Sequence, residues 1–313
     1  MHPLPAPPIG SHLSIAGRIG NAITEAERIG CESLAIFSAS PRIWRRSAIS
    51  AEHLEHWHDQ KRTTGIGPIV MHAAYLANPA STDTRISTLT RNSLHADLLT
   101  ASQLDIKRLV LHPGSSPEDD RRSVICRIAR TLDDVFGSAG DNRVEIALET
   151  TAGSRNSIGG RFEDIRDILD ISRHPERVSV CFDTAHVFAA GYNLTSEAGL
   201  CETLAQFDRL IGLERIHVVH LNDSKSAHGS KADRHEHIGM GRIPLTVFRT
   251  ILSIDAFRNV PMILETPKDP EGAWDRRNLD ILRHLRHGRP VPAALLELSP
   301  ANGGYTQAQA END

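Results

Sequence analysis

VSVCFD, residues 178–183, decides how this chain is read. Its apolar residues fall on both alternating faces, as in a parallel strand covered on both sides, and it stops in an aspartate. Outward from it the same design recurs: IGSHLS (9–14), SLAIFS (33–38), PIVMHA (68–73), RLVLHP (108–113), VEIALE (144–149), RIHVVH (215–220) and VPMILE (260–265). Between these runs lie stretches of helical length at 17–30, 50–62, 83–103, 119–136, 161–171, 196–210, 244–253 and 275–287. Eight strand–helix alternations predict an α/β fold closed into a single (β/α)8 TIM barrel, for which about 250 residues is ordinary. An open doubly wound sheet competes, but no GxGxxG follows the first run. The expected organisation is a catalytic barrel over 1–289 and a C-terminal extension over 290–313, partly disordered because it ends in small and polar residues.

The chemistry sits where the runs end. His72 closes IVMH, His112 closes LVLH, Glu149 closes IALE, Asp183 closes VCFD, His220 closes HVVH and Glu265 closes MILE. Parallel strands of a barrel all end at one face, the face that carries active sites. These six residues, 34 to 45 positions apart, are therefore expected at one mouth, with His186, Asp233 and His235 joining from adjacent loops. One histidine at a strand end is ordinarily a polar group beside a loop; six of eight strands ending in donor side chains is a different matter. So many ionisable groups are costly to desolvate unless cations neutralise them. Imidazole and carboxylate donors without cysteine argue against a closed structural zinc. Nine donors exceed one tetrahedral ion and suit two or three ions with shared carboxylates, as in metal-assisted phosphoester cleavage. His53, His56 and His58 read as a solvated helix face, and His174 and His228 as loop residues. His217 has the wrong parity beside His220 and is expected on the other side of its strand, while His237 is left open.

Composition removes other classes. With 313 residues, 40% hydrophobic and 24% charged, the chain is neither disordered, collagen-like nor a coiled coil. No apolar run approaches the roughly 18 residues of a membrane span, and MHPLPAPPIG is not a secretory signal, so a cytoplasmic protein without a membrane partner is expected. Cys31, Cys126, Cys181 and Cys201 are widely spaced and read as reduced thiols. A net charge of −4 is not the footprint of a general nucleic-acid binder; attraction to DNA would have to be local or come from bound metal.

The segments GSHLS (10–14), HAAYLANPA (72–80), LHPGS (111–115), LETTAG (148–153), CFDTAHVFAAGY (181–192), HLNDSK (220–225), DRHEHIG (233–239) and ILET (263–266) resemble the endonuclease IV type of apurinic/apyrimidinic (AP) endonucleases, family 2. The resemblance implies a xylose-isomerase-like TIM barrel that cuts double-stranded DNA 5′ to an abasic site, leaves a 3′-hydroxyl and trims blocked 3′ ends. It implies three zinc ions, with manganese sometimes substituting. His72, His112 and Glu149 would hold one; Glu149, Asp183, His220 and Glu265 a second; His186, Asp233 and His235 a third. Glu149 and Glu265 would also orient the attacking water. Arg42, Tyr75 and Leu76 would wedge into the duplex, with Asn222, Ser224 and Lys225 on backbone phosphate. Acting as a monomer near the nucleoid is the corresponding expectation. This chain departs from the family pattern at Ala74 (commonly proline), Thr150 (asparagine), Ala185 (cysteine) and Met240 (glutamate), none of them a metal ligand. Two other readings compete. One is a single-metal sugar isomerase or epimerase, which needs only Glu149, Asp183, His220 and Glu265; the other is a non-catalytic lesion-binding barrel.

Overall fold

The computed structural model describes residues 6–40, 43–44, 48–116, 120–154 and 156–297. Seven strands follow in chain order: β1 (Ile9–Leu13), β2 (Ser33–Phe37), β3 (Ile69–His72), β4 (Arg108–Leu111), β5 (Glu145–Glu149), β6 (Val178–Asp183) and β7 (Ile216–His220). A two-stranded antiparallel ribbon, β8 (Asp223–Ser224) and β9 (His235–Glu236), then precedes β10 (Met262–Leu264). β10 pairs in parallel with both β7 and β1, and so closes an eight-stranded barrel. All eight expected barrel strands are present.

The helices α1 (Asn21–Ile29), α2 (Ala51–Thr64), α3 (Thr84–Gln103), α4 (Arg121–Ser138) and α5 (Phe162–Ile171) surround the first half. α6 (Thr184–Ala190), α7 (Glu197–Leu210), α8 (Leu245–Ser253), α9 (Ala273–Arg286) and α10 (Ala293–Leu296) complete the chain. Helix starts follow capping chemistry: the side chains of Ser50, Asp83, Asp120 and Ser196 each accept an orphan backbone N–H of the first turn. Residues 290–297 turn back onto the barrel, where Arg277 Nε donates to the Leu295 carbonyl at 2.7 Å; 298–313 lie outside the described residues.

Alternation with a period of two places the site. Ala35, Val70, Val110, Ala147, Cys181, Val218 and Ile263 form a buried layer inside the barrel, separate from the larger core between strands and helices. Two residues further along each strand, on the same face, stand Phe37, His72, His112, Glu149, Asp183, His220 and Glu265. The interior apolar layer is thus the floor on which the ionisable groups rest.

His217 corrects its parity reading. The register shifts between β6 and β7, where Val180 faces Ile216 but Cys181 faces Val218, so an extra residue sits in β7. The bulge leaves His217 beside Glu145, Nδ1 2.6 Å from Oε2, four residues below Glu149 at the opposite mouth.

The seam is tied by charge. Arg286 of α9 reaches Glu32, just before β2, at 2.5 and 2.7 Å, and Glu32 accepts the Ile9 N–H of β1 at 3.2 Å. Burial pushes the Glu32 carboxyl up, but Arg286 holds it below the ordinary value of 4.5. Its contribution is therefore present above the unfolded-state pKa and lost as pH falls through the folded one. Arg286→Leu is expected to lower the melting temperature at neutral pH, with the gap to wild type narrowing in acid melts below pH 4.5.

Candidate metal centre

Glu149, at the end of β5 and fully buried, is the hub. Its Oε2 lies 3.2 Å from His72 Nε2 and 3.0 Å from His112 Nε2; its Oε1 lies 2.9 Å from His220 Nδ1 and 3.3 Å from His186 Nδ1. Glu265 Oε2 is 3.1 Å from His220 Nδ1, and Asp183 Oδ2 is 3.7 Å from it. Asp233 comes in from the ribbon's loop, Oδ2 3.0 Å from His186 Nε2 and Oδ1 3.3 Å from His235 Nε2. All nine expected donors meet at one mouth.

Local sequence explains the aim of each ring. Asp183 caps α6, accepting the His186 N–H at 2.8 Å, which places His186 one turn inside the strand end. Three of the five histidines are held through Nδ1: His186 on the Thr150 carbonyl at 2.8 Å, His72 on the Ala73 carbonyl at 2.7 Å, His235 on the Glu265 carbonyl at 3.0 Å. A carbonyl can only accept, so Nδ1 carries a hydrogen and Nε2, turned to the centre, is the atom a neutral ring offers to a cation. The Nε2 atoms of His186 and His235 lie 3.4 Å apart, with Asp233 Oδ2 3.0 Å from the first and Oδ1 3.3 Å from the second. Two imidazole nitrogens and a carboxylate within reach of one another form a donor set that a cation can occupy once the rings give up their protons.

The described residues contain donor groups whose atoms all lie within 4.8 Å of one another: His72, His112 and Glu149; Glu149, Asp183, His220 and Glu265; Asp183, His186 and His235. The first two match the expected sets. The third brings in Asp183, with Asp233 alongside, half exposed at 52%. A fourth group joins Cys181 to Glu149 and His220. No cysteine was expected here, but Cys181 lies two residues before Asp183 and faces the same interior. Burial pushes its thiol up to about 12. Nitrogen and oxygen donors, buried and in contact, fit divalent cations of the zinc and manganese type.

Thr150, Asn222 and His12 touch the donors directly, and Ser224 lies buried beside them. Thr150 accepts the Asp183 N–H on Oγ1 at 2.9 Å and takes His186 on its carbonyl. Asn222, expected on phosphate, is fully buried: Nδ2 donates to Asp183 Oδ2 at 2.8 Å and Oδ1 accepts the Glu265 N–H at 2.7 Å. Ser224, also expected on phosphate, is buried and donates to the Ser226 carbonyl at 3.1 Å. Neither can reach a ligand outside, because the ribbon turns them inward. His12 of β1 was unmarked in the sequence and lies 2.7 Å from Glu265. Lys225 is exposed, Tyr75 is 58% exposed and Leu76 half-buried at the rim; Arg42 lies outside the described residues. Tyr75 stands edge-on to Phe37 and His72, at 5.3 and 5.6 Å between centroids. His237 stacks on Trp274 at 4.2 Å, away from the centre.

Comparison with known proteins follows this geometry. The family profile described as a xylose isomerase-like TIM barrel, of the AP endonuclease 2 type, matches residues 23–286. A probable endonuclease 4 of Trichlorobacter lovleyi is 38% identical over 279 residues, 88% of this chain and 99% of that protein. One from Methanosphaerula palustris is 41% identical over 263 residues, 83% of this chain and 92% of that protein. The chain belongs to the endonuclease 4 family. The crystal structure of endonuclease IV from Thermus thermophilus superposes with a TM-score of 0.80 at 34% identity, covering 90% of this chain and all of that one. A D-tagatose 3-epimerase-like protein, TM-score 0.67 at 20% identity, shares the fold alone. Among the described residues, no helix is long and apolar enough to cross a membrane.

Burial would raise the Glu149 carboxyl and lower the imidazoles; instead the imidazolium charges of His220 and His112 hold Glu149 well below its ordinary value, while Asp183 and Asp233 hold His186, and Cys181 with Glu265 and Glu149 holds His220, well above 6.5. In the metal-free chain, that imidazolium stabilisation is present below the unfolded pKa near 6.5 and lost as pH rises through the folded values. Chelated protein is expected to melt progressively lower from neutral to alkaline pH, while metal-loaded protein holds its melting temperature, and metal uptake should release protons into a weak buffer. Asn222→Ala strands the Glu265 N–H and one Asp183 interaction; calorimetry is expected to show a loss of about 1–3 kcal/mol.

Proposed function

We propose that this chain is a metal-dependent AP endonuclease that hydrolyses the phosphodiester 5′ to an abasic site in double-stranded DNA, leaves a 3′-hydroxyl and trims blocked 3′ ends. The observation that carries the proposal is the set of adjoining donor groups sharing Glu149 and Asp183 at one barrel mouth, in a chain whose relatives are named probable endonuclease 4. A sugar isomerase needs only the group around Glu149, Asp183, His220 and Glu265; it leaves His72, His112, His186 and His235 without work.

His72, His112 and Glu149 would hold one ion, Glu149, Asp183, His220 and Glu265 a second, and His186, His235 and Asp233 with Asp183 a third, with zinc the favoured metal and manganese a substitute. When bound, such a cluster lowers the pKa of water and offsets charge on the departing 3′-oxygen. Three divalent ions would take the net charge of −4 to about +2, concentrated at the mouth, which offsets the acidic surface toward phosphate. Glu149 and Glu265 accept hydrogen bonds from the attacking water and orient it. Of the third group Asp233 is the half-exposed member, with His235 partly and His186 fully buried behind it. Tyr75 and Leu76 rise from the loop after β3 and, with Arg42, fill the gap left by the missing base, while Lys225 contacts backbone phosphate. Every donor comes from one chain, so a monomer suffices, acting in the cytoplasm at the nucleoid.

Metal analysis beside an incision assay tests this. About three ions per chain with cutting of an abasic duplex is the expected result; one ion and no cutting sinks the proposal. Glu149→Gln is expected to remain folded and lose incision by about 100-fold or more. Tyr75→Ala should weaken binding of an abasic duplex by roughly tenfold, within the range for loss of one stacked base.

A further inference from the structure

β1 brings one ionisable group to the mouth. Gly10 is paired with Ile263 of β10, so His12, two residues on, faces the same interior at the level of Glu265. Its ring is buried against Phe37, centroids 4.2 Å apart, and Nδ1 lies 2.7 Å from Glu265 Oε1. An ionised carboxylate only accepts, so Nδ1 is the protonated nitrogen. The second Glu265 oxygen, Oε2, is the one 3.1 Å from His220 Nδ1. Among the described residues His12 joins none of the donor groups that could hold an ion, and its Nε2 is buried without a hydrogen-bond partner.

We propose that His12 is a positioning residue for Glu265: its Nδ1–H occupies Oε1, so that the carboxylate offers a cation Oε2 alone, on the side of His220 and Glu149. The proposal rests on the metal-dependent reading above. Glu265 is otherwise held by His220 Nδ1 on Oε2 at 3.1 Å and through its backbone, the N–H by Asn222 and the carbonyl by His235. Without His12, Oε1 loses its partner and His220 alone bears on the carboxylate, which can then turn to present either oxygen or both. Hydrogen bonds of this kind to a ligating group typically carry a ten- to hundredfold effect on metal affinity.

The test separates the donor from the shape. Asparagine places an amide nitrogen near the position of Nδ1, so His12→Asn keeps the hydrogen bond; His12→Leu and His12→Phe remove it while filling the space against Phe37. Chelated wild type and variants are titrated with Co2+ and followed by visible absorption. The Leu and Phe variants are expected to bind one Co2+ about 10- to 100-fold more weakly, with an altered spectrum for that ion. His12→Asn is expected to stay within a few-fold of wild type. In the incision assay the same variants should lose kcat with KM for an abasic duplex unchanged. Wild-type Co2+ affinity and spectrum in the Leu or Phe variant overturns the proposal, and so does an Asn variant as impaired as Leu. If neither apolar variant folds, the 15N-histidine spectrum of the wild type decides: hydrogen on Nδ1 of His12 supports the proposal, hydrogen on Nε2 overturns it. A wild-type chain that binds Co2+ but leaves abasic DNA intact overturns the nuclease reading alone, and the affinity contrast at His12 still stands or falls by itself.

Discussion

A carboxylate sealed inside a barrel and touched by four imidazoles is an unstable arrangement unless positive charge is present. Glu149 is that carboxylate. Removing one ion from water costs several kcal/mol, and around Glu149 stand Asp183, Glu265 and Asp233 besides. Protons on His186 and His220 can supply the charge, as the upward shift of both groups shows. Divalent cations supply it in fewer particles, and they take the place of the protons between His186, His235 and Asp233. The mouth is therefore built around a charge that the chain itself lacks.

What makes this tolerable is the rest of the barrel. The apolar layer from Ala35 to Ile263 lies directly beneath the donors and excludes water from below, while the larger core between strands and helices carries the stability. Several donors are also held by groups that have no direct part in binding an ion. Thr150 and Asn222 hold Asp183, Ala73 holds His72, and the Glu265 backbone holds His235. Rings and carboxylates locked in this way lose little freedom when an ion arrives, so binding strength goes into geometry rather than ordering.

The departures from the family pattern are informative in this light. Thr150 has a hydroxyl where asparagine is common, and that hydroxyl accepts the Asp183 N–H, a hydrogen bond to the strand carrying the ligand. Ala185 is buried one residue before His186 and offers no donor, which leaves Cys181, on the interior face, as the thiol nearest the centre. Ala74 is buried beneath the rim, leaving Tyr75 exposed next to it.

Much of this was legible along the chain, for two physical reasons. Parallel strands covered on both sides must be short and apolar, and a run that stops in His, Asp or Glu places that group at the strand's end whatever the neighbours do. The eight runs and the six terminal donors follow from those constraints, with no need to know which strand pairs with which. The remainder depended on closure. His12 lies in the middle of an ordinary run, and only the pairing of β10 with β1 carries Glu265 to it. The bulge in β7 redirects His217, and a bulge has no mark in composition. Asn222 and Ser224 look solvent-facing in HLNDSK, but the ribbon of β8 and β9 turns them inward. Local chemistry dictates where a strand stops and what stands there; contacts between residues hundreds of positions apart depend on register and curvature, which arise only when the sheet meets itself.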